Sequence, residues 1–166
     1  MINDNNRHQA ALDVYSALGR YLNNRNDNDA KFEMLGEDPD MMAYSFKISG
    51  EDFPMLIKIS VRENNNILHL YSLIPVEPDS TKLASLAVAV CHASSGLVDG
   101  CFDLDRENNQ IGFKMIVSYD NDRIDGGIFH YMVQTATRII DHYNDVFYLI
   151  NTGKLSVAEL LAPQEN

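Results

Sequence analysis

The side chains able to do chemistry in this chain are few and scattered. Five histidines occur, His8, His69, His92, His130 and His142. None belongs to an H-E-x-x-H or comparable helical pair that would aim two imidazoles at one ion. His130 and His142 stand more than three helical turns apart and do not share a ligand position on one helix. Cys91 and His92 are neighbours on a helix, so they diverge by about 100° and make no nucleophile and base pair. Cys91 is better read as a small buried apolar residue, and Cys101 opens a strand. Two cysteines are too few for a disulfide scaffold or a Cys-rich zinc site, and both are expected to be free thiols. Neither G-x-G-x-x-G nor G-x-x-x-x-G-K-[ST] is present to cradle a phosphate.

Carboxylates are the richest resource. Residues 99–125 hold Asp99, Asp103, Asp105, Glu107, Asp120, Asp122 and Asp125 against Arg106, Lys114 and Arg123. A calcium loop of the EF-hand kind needs oxygen ligands at positions 1, 3 and 5, glycine at 6 and glutamate at 12. Counting from Asp103 puts Asn108 at the glycine position, and counting from Asp120 puts Ile124 at a ligand position. Both registers fail, and nothing selects a carboxylate pair for glycosidase-like chemistry. Turn residues on a solvated negative face account for the run. The expectation is a noncatalytic chain with no metal and no cofactor.

The elements that would carry these residues follow from periodicity and from asparagine. Most of the sixteen Asn cluster at 3–6, 23–28, 64–66 and 108–109, between apolar-periodic stretches, and read as turns. Ala11, Leu12, Tyr15, Leu18 and Leu22 predict an amphipathic helix over about 6–23. Tyr44, Phe46 and Ile48, then Ile57, Ile59 and Val61, alternate with polar residues as two strands. A third, Ile67 to Ile74, alternates less cleanly. Hairpin-length connections make these three an antiparallel meander. Residues 30–35 either start the first strand early or form a short one of their own, and residues 24–40 receive no role.

A second helix is predicted over about 80–96, capped by Asp79 or Ser80 and closed near Gly96. Leu83, Leu86, Ala87, Val90 and Leu97 form one stripe, while Ala84, Val88, Cys91, Ser94 and Ser95 keep the remainder nearly free of charge. A helix apolar around most of its circumference is covered on more than one side. A hairpin follows, with Phe102 and Leu104 inward on one strand and Ile111, Phe113, Met115, Val117 and Tyr119 sharing a face on the other. Asp125 is the expected cap of a long third helix to about Ile150, striped by Phe129, Met132, Val133, Ala136, Ile139, Ile140, Tyr143 and Phe147. Thr152-Gly153 ends it, and Ser156-x-x-Glu159 is a capping box for a short last turn. Strands joined by hairpins and backed by helices argue α+β with an antiparallel sheet.

At 166 residues and 18.7 kDa the chain suits a single domain, 1–166, with a short polar tail at 163–166. Its 24 acidic and 13 basic residues give net −11, which opposes a phosphate-rich partner, so nucleic acid is not expected. No run approaches the ~18 apolar residues of a membrane span, and the first residues lack the charged and apolar regions of a signal peptide. No membrane association and a cytoplasmic home are expected.

Three segments carry a family likeness. Gly100-Cys101-Phe102-Asp103-Leu104-Asp105, then Gln110-Ile111-Gly112-Phe113-Lys114, then the long helix running through Tyr143 to Gly153, together resemble the YbjN family of bacterial sensory-transduction regulators and the structurally similar type III secretion chaperones. Where such domains often carry an Asn late in the second helix, this chain has Ser94 and Ser95. The resemblance implies a curved sheet backed by the first and third helices, no catalytic residues, a protein client or regulatory partner, and often a homodimer with the second helix at the contact. Leu83, Leu86, Ala87 and Val90 are the residues assigned to protein binding and self-association. The expected function is a noncatalytic protein-binding module, chaperone-like or a regulatory adaptor, offering a sheet edge or an apolar groove to its client. The alternative is a small-ligand or cation-binding regulatory domain using the space between sheet and helices or the acidic loops.

Overall fold

A computed structural model describes residues 4–119 and 126–162. Its elements are α1 (Asp4–Asn28), β1 (Phe32–Asp38), β2 (Ala43–Ser49), β3 (Pro54–Arg62), β4 (Ile67–Ile74), α2 (Leu83–Ser95), β5 (Cys101–Asp105), β6 (Gln110–Ser118), α3 (Gly126–Asn151) and α4 (Val157–Leu160). The fold is α+β, and the strands make one antiparallel sheet in the order β1-β2-β3-β4-β6-β5. The expected cap Asp125, the acidic loop around it and the tail 163–166 lie outside the described residues.

Alternation decides which sheet face is buried. Phe46 lies opposite Ile57, Ile59 opposite Leu70, Leu70 opposite Met115, and Phe102 opposite Phe113, so one face carries a continuous apolar surface. Against it α1 lays Ala11, Val14, Tyr15, Leu18 and Leu22, and α3 lays Phe129, Met132, Val133, Ala136, Ile140 and Phe147, all buried. Each Leu or Phe taken from water contributes about 1.5–3 kcal/mol, so this one interface dominates the stability. Phe102 sits at its corner, edge-on to Phe113, Tyr143 and Phe147 at ring centroids of 5.2, 5.6 and 4.9 Å.

Local chemistry accounts for the differences from expectation. β1 is a strand of its own, and its alternation is obscured by a bulge between Met34 and Gly36 that shifts the register. α1 continues to Asn28, past the cluster read as a turn. Arg25 pairs with Asp29 at 2.5 Å and lies over the Phe32 ring, which holds the last turn helical. Asn5 and Asn6 of the first cluster also lie within α1, whereas the last two clusters do turn the chain: Asn66 (φ 51°) and Asn109 (φ 53°) occupy the left-handed region that asparagine tolerates. Asp79 does not cap α2. Its carboxylate accepts from the Thr81 amide and hydroxyl, both at 2.7 Å, and the helix starts only at Leu83 behind an uncapping Lys82. The capping box of α4 is present, with Ser156 and Glu159 bonding reciprocally.

Two side chains fasten the periphery. Ser94, late in α2, accepts from the Phe102 amide at 3.0 Å and donates to the Phe102 carbonyl at 3.1 Å. One hydroxyl thus does the donor and acceptor work that an Asn amide would do from the same place. On α3, Asp141 accepts from the Glu51 amide in the β2–β3 turn at 3.1 Å. Burial, and then the neighbouring Glu51 and Asp52 carboxylates, push its carboxyl above the usual range despite that bond and despite Lys31.

Ser94→Ala is expected to lower unfolding stability by about 1–3 kcal/mol in urea titration, because both polar groups of Phe102 lose their partner. Amide exchange at Phe102 should quicken more than at Phe113; uniform exchange would show that the hydroxyl does not hold the edge. For Asp141 the sign is fixed by its raised carboxyl. Folding takes up a proton there, so its contribution to stability grows as pH falls through that raised pKa and is least favourable at neutrality. Asp141→Asn should therefore raise Tm at pH ~7 and change it less in acid, whereas equal shifts would place the carboxyl in water.

Candidate protein-binding surfaces

Among the described residues, no three of His, Cys, Asp or Glu are grouped to hold a metal ion. Cys91 is exposed and Cys101 half-buried, both free, so the reading of Cys91 as a buried residue is corrected. Among the described residues, no helix is long and apolar enough to cross a membrane.

α2 divides its apolar residues between two environments. Leu86 and Val90, 0% and 7% exposed, point into the protomer's own core together with Ala89 and Ala93. Leu83 is half-buried and Ala87 exposed. Of the four residues assigned to self-association, two are therefore covered by this chain itself, and the outward strip runs instead through Ala84, Ala87, Val88, Cys91 and Ser95. Beside it Leu161, just past α4, closes a shallow groove of about 370 Å³ lined by Ala87, Val88, Cys91, His92 and Ser95. The offset from the expected stripe is one helical step. Ala89 and Ala93 face the sheet, and their small side chains gave the wheel no weight on that side.

The sheet edges offer less than an antiparallel sheet usually does. On β1 the Phe32 amide donates to the Asp29 carbonyl at 2.9 Å, and the Met34 amide donates to Asn26 Oδ1 at 2.9 Å. On β5 the outward groups of Phe102 are taken by Ser94. Strand addition needs free amides and carbonyls in a row, and α1 and α2 have occupied these positions.

The face turned away from the helices is different. Leu56 and Leu73 sit directly opposite each other on β3 and β4, and Leu35, Tyr71 and Ile116 share their side of the sheet. Leu35, Leu56 and Ile116 are 50%, 54% and 57% exposed, where a fully solvated face would carry polar residues. Three recesses join along β3 and β4. One of about 440 Å³ spans Pro54, Leu56, Leu73, Pro75 and Asn109. The next, about 260 Å³, shares Leu56 and Leu73 with it and adds Leu35 and Ser45. The last, about 240 Å³, shares Lys58 and Tyr71 with the second and ends at Met41, Ser60, Arg62 and His69. Gly112 helps shape the trough: a Cβ there would collide with the Tyr71 ring and hydroxyl, which lie over it. Sequence reasoning missed this face, although its signal was the imperfect alternation of Ile67 to Ile74. Ile67, Tyr71 and Leu73 break the pattern on the outward side and Ser72 on the inward side, and the three point outward because the other side is already filled.

No family model matches the chain, and no curated protein matches it in sequence. Solved structures do. YbjN from E. coli, described as a candidate transcription regulator, is 14% identical and superposes with a TM-score of 0.54, the match covering 85% of this chain and 93% of YbjN. A chain of the ExsC-ExsE complex is 12% identical with a TM-score of 0.50, over 92% of this chain and 98% of its own length. At these identities the likeness concerns architecture: the chain has the α+β fold seen in YbjN and in the ExsC-ExsE complex.

Proposed function

We propose that this chain is a noncatalytic protein-binding module, chaperone-like or a regulatory adaptor, that acts in the cytoplasm as a homodimer and holds a client on the bare face of its sheet. The observation that carries the reading is the trough over Leu56 and Leu73. It is apolar at Leu35, Leu56 and Leu73, runs along two central strands, and lies on the sheet face turned away from α1 and α3. The fold shared with a chain crystallised in a protein complex supports it. Self-association through α2 is supported by the outward strip of Ala87, Val88 and Cys91 beside Leu161. A small-ligand regulatory domain is the second reading, favoured by the recess of about 440 Å³ at Pro54 and Asn109, which is of ligand size.

Cys91 supplies a native probe of the α2 contact. In a Cys101→Ser background a short bismaleimide should yield a covalent dimer, and Val88→Asp, on the exposed strip, should abolish it while Tm changes little. A single 18.7 kDa particle by light scattering at high concentration would remove the dimer. For the client, host lysate is passed over the wild-type protein and over the Leu56→Asp, Leu73→Asp double variant. A partner retained by the first and lost from the second supports the trough. Identical captures would place binding elsewhere, and a metabolite that raises Tm would favour the second reading.

A further inference from the structure

The four cations carried by the strands, Lys47, Lys58, Arg62 and Lys114, all stand on the outer face of the sheet, which is notable in a chain of net −11. Three already have carboxylate partners: Lys47 meets Glu33 at 2.5 Å, Lys58 meets Asp38 at 3.7 Å, and Lys114 meets Asp103 at 2.7 Å. Arg62 does not. Its guanidinium donates to His69 Nδ1 at 3.4 Å, and among the described residues it has no carboxylate within ion-pair distance. An acceptor nitrogen belongs to a neutral ring, and burial followed by the charges of Arg62 and Lys114 holds His69 below its ordinary pKa, with Asp103 opposing. Among the described residues the Arg62 charge thus has no carboxylate partner, at the end of the trough where Lys58, Ser60 and Tyr71 line the same recess.

Deepening the client reading, and resting on it, we infer that the trough's occupant is an amphipathic, acid-tipped helix of a partner protein: its apolar stripe covers Leu35, Leu56 and Leu73, and a carboxylate at its end meets Arg62. A helix suits the geometry. The outward amides at Phe32, Met34 and Phe102 are already bonded, which disfavours a strand, and a bare apolar sheet face is the surface helices pack on. Leu56 to Arg62 spans about 20 Å of strand, the length of about 13 helical residues. A guanidinium bonded only to a neutral ring among the described residues still offers donors that a carboxylate engages in a fork of two hydrogen bonds.

The test opposes local to global charge. Two fluorescent helical peptides share one leucine stripe on an Ala-Gln background; one ends in Glu-Glu, the other in Lys-Lys. Net −11 alone favours the lysine peptide. Anisotropy in ~0.15 M salt should instead show the glutamate peptide binding about tenfold more tightly, a gap that Arg62→Gln closes while Tm is unchanged. Leu73→Asp should weaken both. Equal affinities, or preference for the lysine peptide, overturn the inference, as does failure of both to bind. Displacement of the glutamate peptide by inorganic phosphate alone overturns it in favour of a free-anion site. If the double trough variant still loses its lysate partner in those cases, the client reading stands and only the acidic helix falls.

Discussion

A six-stranded antiparallel sheet with helices packed on one side leaves its other side to the solvent, and most of this molecule's character descends from that asymmetry. The inward side chains of β2, β3, β4 and β6 meet α1 and α3 in a single buried layer, closed at one corner by Phe102 among Phe113, Tyr143 and Phe147. Because that layer supplies the hydrophobic stabilisation, the outward positions are free of any packing duty. They hold leucines, tyrosine and cations, a composition that costs solubility unless something covers it. The edges, usually the weak points of such a sheet, are instead managed from within by Asn26 and Ser94.

α2 expresses the same division on a smaller scale. Leu86 and Val90 are fixed in the core, so the helix cannot swing away from β5 without uncovering them. Its remaining strip of Ala, Val, Cys and Ser is small and shallow, which allows a second backbone to approach closely. The strip and the trough lie on different elements, so two contacts of different kinds can be made without competing for the same residues.

Much of the fold was readable from patterning because long segments agree with themselves. α3 repeats its apolar residues without interruption, the β5–β6 hairpin alternates cleanly, and Asn66 and Asn109 mark left-handed turns that few other residues tolerate. What escaped was set by contacts distant in sequence. The bulge at Gly36 hid β1, the Arg25 ion pair lengthened α1, and Thr81 drew Asp79 away from the helix it seemed placed to cap. The binding surface was harder still. Leu56 and Leu73 are apolar residues among apolar residues, and only the side already filled by α1 and α3 reveals that they face outward. In α2 the division between core and surface turns on alanines, whose burial leaves no mark on a helical wheel.

The position of β6 also bears on how the chain acquires this shape. β1 to β4 are joined by short turns and can assemble as soon as they leave the ribosome, but β4 then waits for β6, which follows α2, β5 and the intervening loops. During that interval the far side of β4 exposes an unpaired ladder on Ile67-Leu68-His69-Leu70-Tyr71-Ser72-Leu73-Ile74, a stretch rich in strand-forming residues and without charge at neutral pH. Elongation at about 5–20 residues per second brings β6 out some seconds later. The nascent protein is therefore most prone to aggregate just before its synthesis reaches the hairpin that seals the sheet.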